Sequence, residues 1–313
     1  MLSYSLRRLA LALPTLLLAG ILVFALMRLV PGDPALMFVG DVDDPEAVIR
    51  KRAELGLDRS LIEQFLLWSG SILSGDLGTS VKTGSPVATE IAESFPVTAQ
   101  IVLIATFLSS IIAIPLGMIA AWKQNSSLDV GIVGFTTFCL SIPSFWMAVI
   151  LLTMFGVNLG WLPTVGYVSM TENLLEGALY LIMPVTALLF TELATLTRMS
   201  RASTIDVLRL DYITHARAKG LGERTVLWKH AFPNAFAPTL TVLGLLLGHL
   251  LGGVVVLETM FSLPGMGRLM IGAIFARDYP VVQGVLLFIV MLYVVINLAV
   301  DLLYPAFDPR VKL

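Results

Sequence analysis

QIVLIATFLSSIIAIPLGMIAA, running from Gln100 to Ala121, contains no charged residue and is closed by Lys123. A helix rises about 1.5 Å per residue, so a stretch of this length crosses the roughly 30 Å hydrocarbon core of a bilayer. The same reading extends outward along the chain. Leu9 to Met27 follows Arg7 and Arg8 and ends at Pro31-Gly32-Asp33-Pro34, which cannot continue a helix. Val130 to Phe155, Ala178 to Thr197, Phe236 to Thr259 and Val281 to Leu303 are each apolar apart from one or two polar residues. The expected fold is an all-α membrane protein with six transmembrane helices. Pro143, in Ser141-Ile142-Pro143-Ser144, should kink the third span without dividing it. The whole composition agrees: 57% of the 313 residues are hydrophobic and 13% charged, against about 25% charged in ordinary soluble domains.

Lysines and arginines fix the expected orientation, because cytoplasmic loops hold their excess. A cytoplasmic N-terminus places Arg7, Arg8, Lys123, Arg198, Arg201, Arg209, Arg217, Lys219, Arg224 and Lys229 inside. The short outer loops then keep Arg268 and Arg277, with no lysine or arginine between Gly156 and Glu176. Six spans return the C-terminus to the cytoplasm, where Arg310 and Lys312 agree. The first apolar stretch exceeds the 7–15 residues of a secretory signal's core and should be an anchor. A net charge of −2 gives no nucleic-acid footprint. The lone Cys139, inside an apolar run, excludes an intrachain disulfide and a cysteine-based metal site, and reads as a packing residue.

The chain then divides into an N-terminus and first helix (1–30), an outer helical subdomain (31–97) and a core of five helices (98–313) with a cytoplasmic loop at 198–234. The outer subdomain is acidic, with eleven carboxylates against five basic residues between Pro31 and Pro96. Pro45 to Leu55 and Leu61 to Leu73 carry helical periodicity, and Gly75-Asp76-Leu77-Gly78 marks a turn. This subdomain reads equally as a cap over the bundle or as a docking surface for a soluble receptor. The loop is basic instead, with seven lysines and arginines against Asp206, Asp211 and Glu223. Ile205, Leu208, Ile213, Ala216, Ala218 and Leu221 follow a helical pattern, and Gly220 and Gly222 can end a short helix. By chemistry alone, such a segment fits an amphipathic helix under the bilayer.

Asp211-Tyr212-Ile213-Thr214-His215-Ala216-Arg217-Ala218-Lys219-Gly220-Leu221-Gly222, continuing to Lys229-His230-Ala231-Phe232-Pro233-Asn234-Ala235, resembles something more specific. It is similar to the cytoplasmic coupling loop of importer permeases of the ATP-binding-cassette family, Glu-Ala-Ala, three residues, Gly, nine residues, Ile-x-Leu-Pro. Ala216 matches the second alanine, Gly220 the glycine and Pro233 the closing proline. Thr214, His215, His230 and Phe232 depart from the general form, so the role of the family's glutamate does not carry over. These departures look like the variant in the dipeptide, oligopeptide and nickel subfamily. Pro31-Gly32-Asp33-Pro34, Leu55-Gly56-Leu57-Asp58, Gly75-Asp76-Leu77-Gly78, Gly252-Gly253 with Glu258 and Phe261, and Pro264-Gly265-Met266-Gly267-Arg268 resemble that subfamily too. So do Arg277-Asp278-Tyr279-Pro280, Asp301-Leu302-Leu303-Tyr304 and Asp308-Pro309-Arg310, in order along nearly the full length.

The resemblance implies the first permease subunit of a type I importer. It also implies a second homologous permease, two cytoplasmic ATPases and a periplasmic or lipid-anchored binding protein, in the bacterial inner membrane. Asp211, Thr214, His215, Ala216, Ala218, Lys219, Gly220 and Pro233 are then the residues expected to couple to an ATPase. ATP and Mg would sit on the ATPase subunits, and no cofactor on this chain, which has no Gly-x-x-x-x-Gly-Lys-Ser/Thr loop. The transported solute, a peptide, glutathione, a nickel chelate, an opine or a sugar, is not legible.

Charged and polar groups within the spans are the remaining candidates, since a charge at a helix centre costs about 2.5–3.5 kcal/mol on insertion scales. Glu192 fits a pathway or an interhelical hydrogen bond. Glu258 and Asp301, near span ends, fit headgroup contact or a paired arginine, with a pathway or interhelical polar role as the alternative. His249 fits a hydrogen bond inside the bundle. The spacing of His215, His230 and His249 gives no metal site. Gly244, Gly248, Gly252 and Gly253 form a small face on the fifth span, suited to close helix approach. A stand-alone channel or secondary transporter is the rival reading, and a membrane enzyme a weaker one, lacking His-Glu-x-x-His and Gly-x-Ser-x-Gly.

Overall fold

The computed structural model of the chain describes residues 2–29, 35–36, 45–54 and 56–307. The helices are α1 (Leu2–Leu29), α2 (Pro45–Glu54), α3 (Leu61–Leu73), α4 (Val87–Trp122), α5 (Ser127–Ser141) and α6 (Ser144–Leu151), which continues as a π-helical stretch, Leu152–Asn158. Then come α7 (Leu174–Leu208) and α8 (Asp211–Ala218). After Glu223–Thr225 and a second π-helical stretch, Val226–Ala231, follow α9 (Phe232–Met260), α10 (Met266–Phe275) and α11 (Tyr279–Phe307). Among the described residues the β content is one isolated bridge, Thr79 with Pro86.

Among the described residues five helices, α1, α4, α7, α9 and α11, are long and apolar enough to cross a bilayer, and α5 with α6 makes a sixth if the bent pair is one span. The expected kink at Pro143 is far larger than a kink: the two halves meet at 89°. Proline pushes the residue before it out of the helical region. Ile142 (φ −99°, ψ 114°) and Pro143 (φ −59°, ψ 144°) are accordingly both extended, and two consecutive extended residues let the chain turn a corner.

Lipid tails are as apolar as leucine, so helices in a bilayer associate through close packing and polar contacts. Both are concentrated where α4 runs along α7. A Cβ on Gly117 would lie 2.5 Å from the Thr197 carbonyl oxygen and 2.7 Å from Ser200 Cβ, so only glycine permits this crossing. Beside it the Ser200 hydroxyl donates to the Ile114 carbonyl (3.0 Å). α9 closes the central core, with Leu250, Val254 and Leu257 against Ile101 and Ala105 of α4 and Leu181 and Leu188 of α7. α11 packs on α9 through the small face noted above. A Cβ on Gly244 would be 2.5 Å from Val300, and one on Gly248 2.2 Å from Tyr293, whereas Gly252 and Gly253 face open space. Cys139 is fully buried with Ala113, Leu193 and Leu196.

At the end of the bundle opposite the α7–α9 loop, α2 and α3 form where the sequence predicts them. Ser60 and Glu63 make a reciprocal capping box at the start of α3. The Ser60 hydroxyl donating to the carboxylate holds Glu63 below its usual pKa. Gly75 and Gly78 both take φ +87° in the turn that follows. The 97/98 division falls inside α4, which begins at Val87 and runs on through Pro96. Pro31–Pro34, Leu55 and Asp308–Arg310 lie outside the described residues.

Candidate functional site

The loop opens later than the sequence suggests, because α7 stays helical through Leu208. α8 then lies across the end of the bundle. Ile213 and Ala216, three residues apart on one helical face, insert among Met118 of α4, Val207 of α7, and Val226, Leu227, Ala231 and Ala235 leading into α9. Asp211, Thr214, His215, Ala218 and Lys219 face outward. One short helix is thereby keyed into the ends of three long ones while presenting a polar face.

Gly220 ends α8 in a Schellman motif. Leu221 N–H donates to the Ala216 carbonyl (3.4 Å) and Gly220 N–H to that of Arg217 (2.9 Å), with Gly220 at φ +81°. Open space surrounds the position of its absent Cβ, so glycine is required here by conformation alone. Pro233 sits in the first turn of α9, where its missing N–H is least costly, just after the π-helical stretch. Tyr212 hydroxyl and Asn234 amide both donate to the His230 carbonyl (3.2 Å each).

Two carboxylates that the sequence reading passed over hold this assembly. Glu223 accepts from Arg217 Nε (2.8 Å) and Nη2 (3.1 Å) and from the Trp122 indole N–H (3.1 Å), joining α8 to the end of α4. Asp129 accepts from Arg201 Nε and Nη2 (2.7 Å each) and from the Asn125 amide (2.9 Å), joining α5 to α7. Arginine and acid at the ends of apolar runs were the available signal, but their separations of 6 and 72 residues show no helical spacing.

The polar residues within the spans fall in four different settings. Glu192 is buried between α7 and α4, accepting from the hydroxyls of Thr106 (3.1 Å) and Ser109 (2.7 Å). Glu258 is fully buried, which corrects both headgroup contact and a paired arginine side chain. Its Oε1 accepts from the Thr98 hydroxyl (2.6 Å), and its Oε2 from the N–H groups of Gly267 (2.7 Å) and Arg268 (3.1 Å). The carboxylate thus caps the N-terminus of α10, satisfying two of its free donors. Met266 N–H is taken by Thr98 Oγ1 (2.9 Å), and the Arg268 guanidinium turns away to the Ser262 carbonyl (2.5 Å). A Cβ on Gly265 would lie 2.2 Å from the Glu258 carboxyl carbon, and one on Gly267 2.5 Å from Val255 Cα. These contacts are the physical content of Pro264-Gly265-Met266-Gly267-Arg268.

His249 is a second correction. It is exposed on the outside of α9, not inside the bundle, because α9 is apolar on every side and its sequence does not show which face turns inward. Asp301 is half-buried in a groove between α1 and α11. Among the described residues no cluster of three metal-ligating side chains occurs.

A bundle of this kind, with a short helix keyed across the ends of its long helices, is the fold of type I importer permeases. An inward-facing structure of the MetNI methionine ABC transporter superposes with a TM-score of 0.57 at 18% identity, over 70% of this chain and 96% of that one. Residues 113–313 match the family described as binding-protein-dependent transport system inner membrane component, and residues 1–102 match its N-terminal family. The chain belongs to this family. It is similar to a putative peptide transport system permease protein of Brucella abortus (43% identity over 307 residues, 98% of each chain). It is likewise similar to the oligopeptide transport system permease protein AppB of Bacillus subtilis (40%, all of both chains) and the dipeptide transport system permease protein DppB of Alkalihalophilus pseudofirmus (39%, all of both chains). The protein is a multi-pass inner-membrane permease subunit of an ABC importer, a transport subunit that works with ATPase and binding-protein partners.

Proposed function

We propose that this chain lines, with a second homologous permease, a path for peptides delivered by a soluble binding protein, and that α8 is its contact with one of two ATPase subunits. The named relatives support the peptide class. The observation that carries the coupling role is α8 itself: Ile213 and Ala216 are buried at the junction of α4, α7 and α9, while Asp211, Thr214, His215, Ala218 and Lys219 remain free to meet a partner. A displacement of α8 by that partner cannot be absorbed locally, because a close-packed cluster transmits it to three helix ends. Gly220 and Pro233 set where α8 stops and α9 starts. ATP and Mg belong to the partner, and N- and C-termini lie on the partner's side, in the cytoplasm. The bundle then has two states, facing in or out, biased by nucleotide at one end and by the loaded binding protein at the other.

Cysteine labelling tests the contact, since the native Cys139 is fully buried. In Lys219→Cys, a membrane-impermeant maleimide should react from the cytoplasmic side when the permeases are expressed without ATPase, and react at least severalfold more slowly in the full complex. Equal reaction in both preparations would contradict an ATPase seated on α8.

A further inference from the structure

A cavity of about 350 Å³ lies at the end opposite α8, where α1, α3 and the start of α11 meet. Arg28 and Arg59 both line it, and among the described residues neither has a carboxylate within ion-pair distance. Glu54, also on its wall, is paired with Lys51 (2.9 Å). Gln64, buried in the wall, donates to the Leu57 (3.3 Å) and Arg59 (2.8 Å) carbonyls and so fixes the backbone that carries Arg59. With two arginines unmatched by a carboxylate, the cavity asks for an anion.

Its position says where such a group comes from. Phe24, near the end of α1, packs on Phe65 (5.4 Å between centroids) and Trp68 (5.5 Å) of α3, and the Arg28 guanidinium lies over the Phe24 ring (4.9 Å). α3 is thus held where α1 leaves the hydrocarbon. Ile62, Leu66 and Leu73 of α3 are largely exposed, and so are Leu22, Leu26 and Leu29 of α1. The apolar surface of the span continues onto α3, while tryptophan and arginine sit at its level, as they do at bilayer interfaces.

We infer that this cavity is a phospholipid headgroup site, in which Arg28 and Arg59 hold the phosphodiester and α3 rests its exposed apolar face in the same leaflet. Arginine binds phosphate in a fork geometry that suits this role.

Native mass spectrometry of the full complex, purified in mild detergent, tests this. Phosphatidylethanolamine or phosphatidylglycerol should remain bound to wild type. The Arg28→Gln/Arg59→Gln variant should lose about tenfold or more in occupancy. Should that variant fail to assemble, Arg28→Lys/Arg59→Lys, which keeps both charges and loses the guanidinium fork, should assemble and retain less lipid than wild type. Millimolar inorganic phosphate should not displace the lipid. Equal retention by wild type and the variants, or displacement by inorganic phosphate, would overturn the assignment, the second by showing a free-anion site. A spin label at Ile62→Cys should be relaxed by oxygen more than by a water-soluble nickel chelate, and the reverse would place α3 in water or against another protein.

Discussion

Gly220 and Gly265 are both glycines, for opposite reasons. At Gly220 the left-handed φ of +81° is the constraint and space is free; at Gly265 the backbone is ordinary (φ −97°) and space is the constraint. Asn tolerates left-handed backbone and β-branched residues do not. Gly220→Asn should therefore keep near-wild-type coupling of ATP hydrolysis, and Gly220→Val should lose it with little loss of assembly. At Gly265 even alanine drives a Cβ into the Glu258 carboxylate, and overpacking of this kind costs about 1–3 kcal/mol. Thermal unfolding of the solubilised complex should fall clearly for Gly265→Ala. The motif was visible in the sequence; its reason was not, since the acceptor for the α10 amides lies nine and ten residues earlier, across a turn. The exposed setting of His249 was equally invisible, as it sits on a helix with no polar side to set its phase.

Between elements, two bidentate arginine–carboxylate pairs of nearly equal geometry are predicted to differ in worth. Arg217–Glu223 is exposed on both sides (38% and 42%), where such pairs contribute about 0–1 kcal/mol. Arg201–Asp129 has its acid almost wholly covered (5%) and its arginine only partly exposed (26%), so removing the acid should cost more than at the exposed pair, toward the about 3–5 kcal/mol of a fully buried one. Glu223→Gln should unfold within a few degrees of wild type, whereas Asp129→Asn should reduce stability and yield sharply; equal effects in a thermal-shift assay would refute the burial argument. The existence of α3, α4, α7, α9 and α11 was legible because each has either caps or more than a bilayer's length of apolar residues. The corner between α5 and α6 was legible only as Pro143. How far a broken helix turns is set by what its second half packs against, and that is not written locally.

For the molecule as a whole, composition and span length showed a helical membrane protein, and the order of short motifs along the chain showed its family. What the sequence could not show is how α8 joins the bundle, because the cluster around Ile213 draws on residues from Met118 to Ala235. Coupling through that cluster is the central claim, and it is tested by ATP hydrolysis of the assembled importer in nanodiscs with and without the loaded binding protein. Wild type and Gly220→Asn should both be stimulated, and Gly220→Val, assembled to the same extent, should hydrolyse ATP without responding to the binding protein. Full stimulation of Gly220→Val would contradict the claim that α8 carries the signal between the two ends.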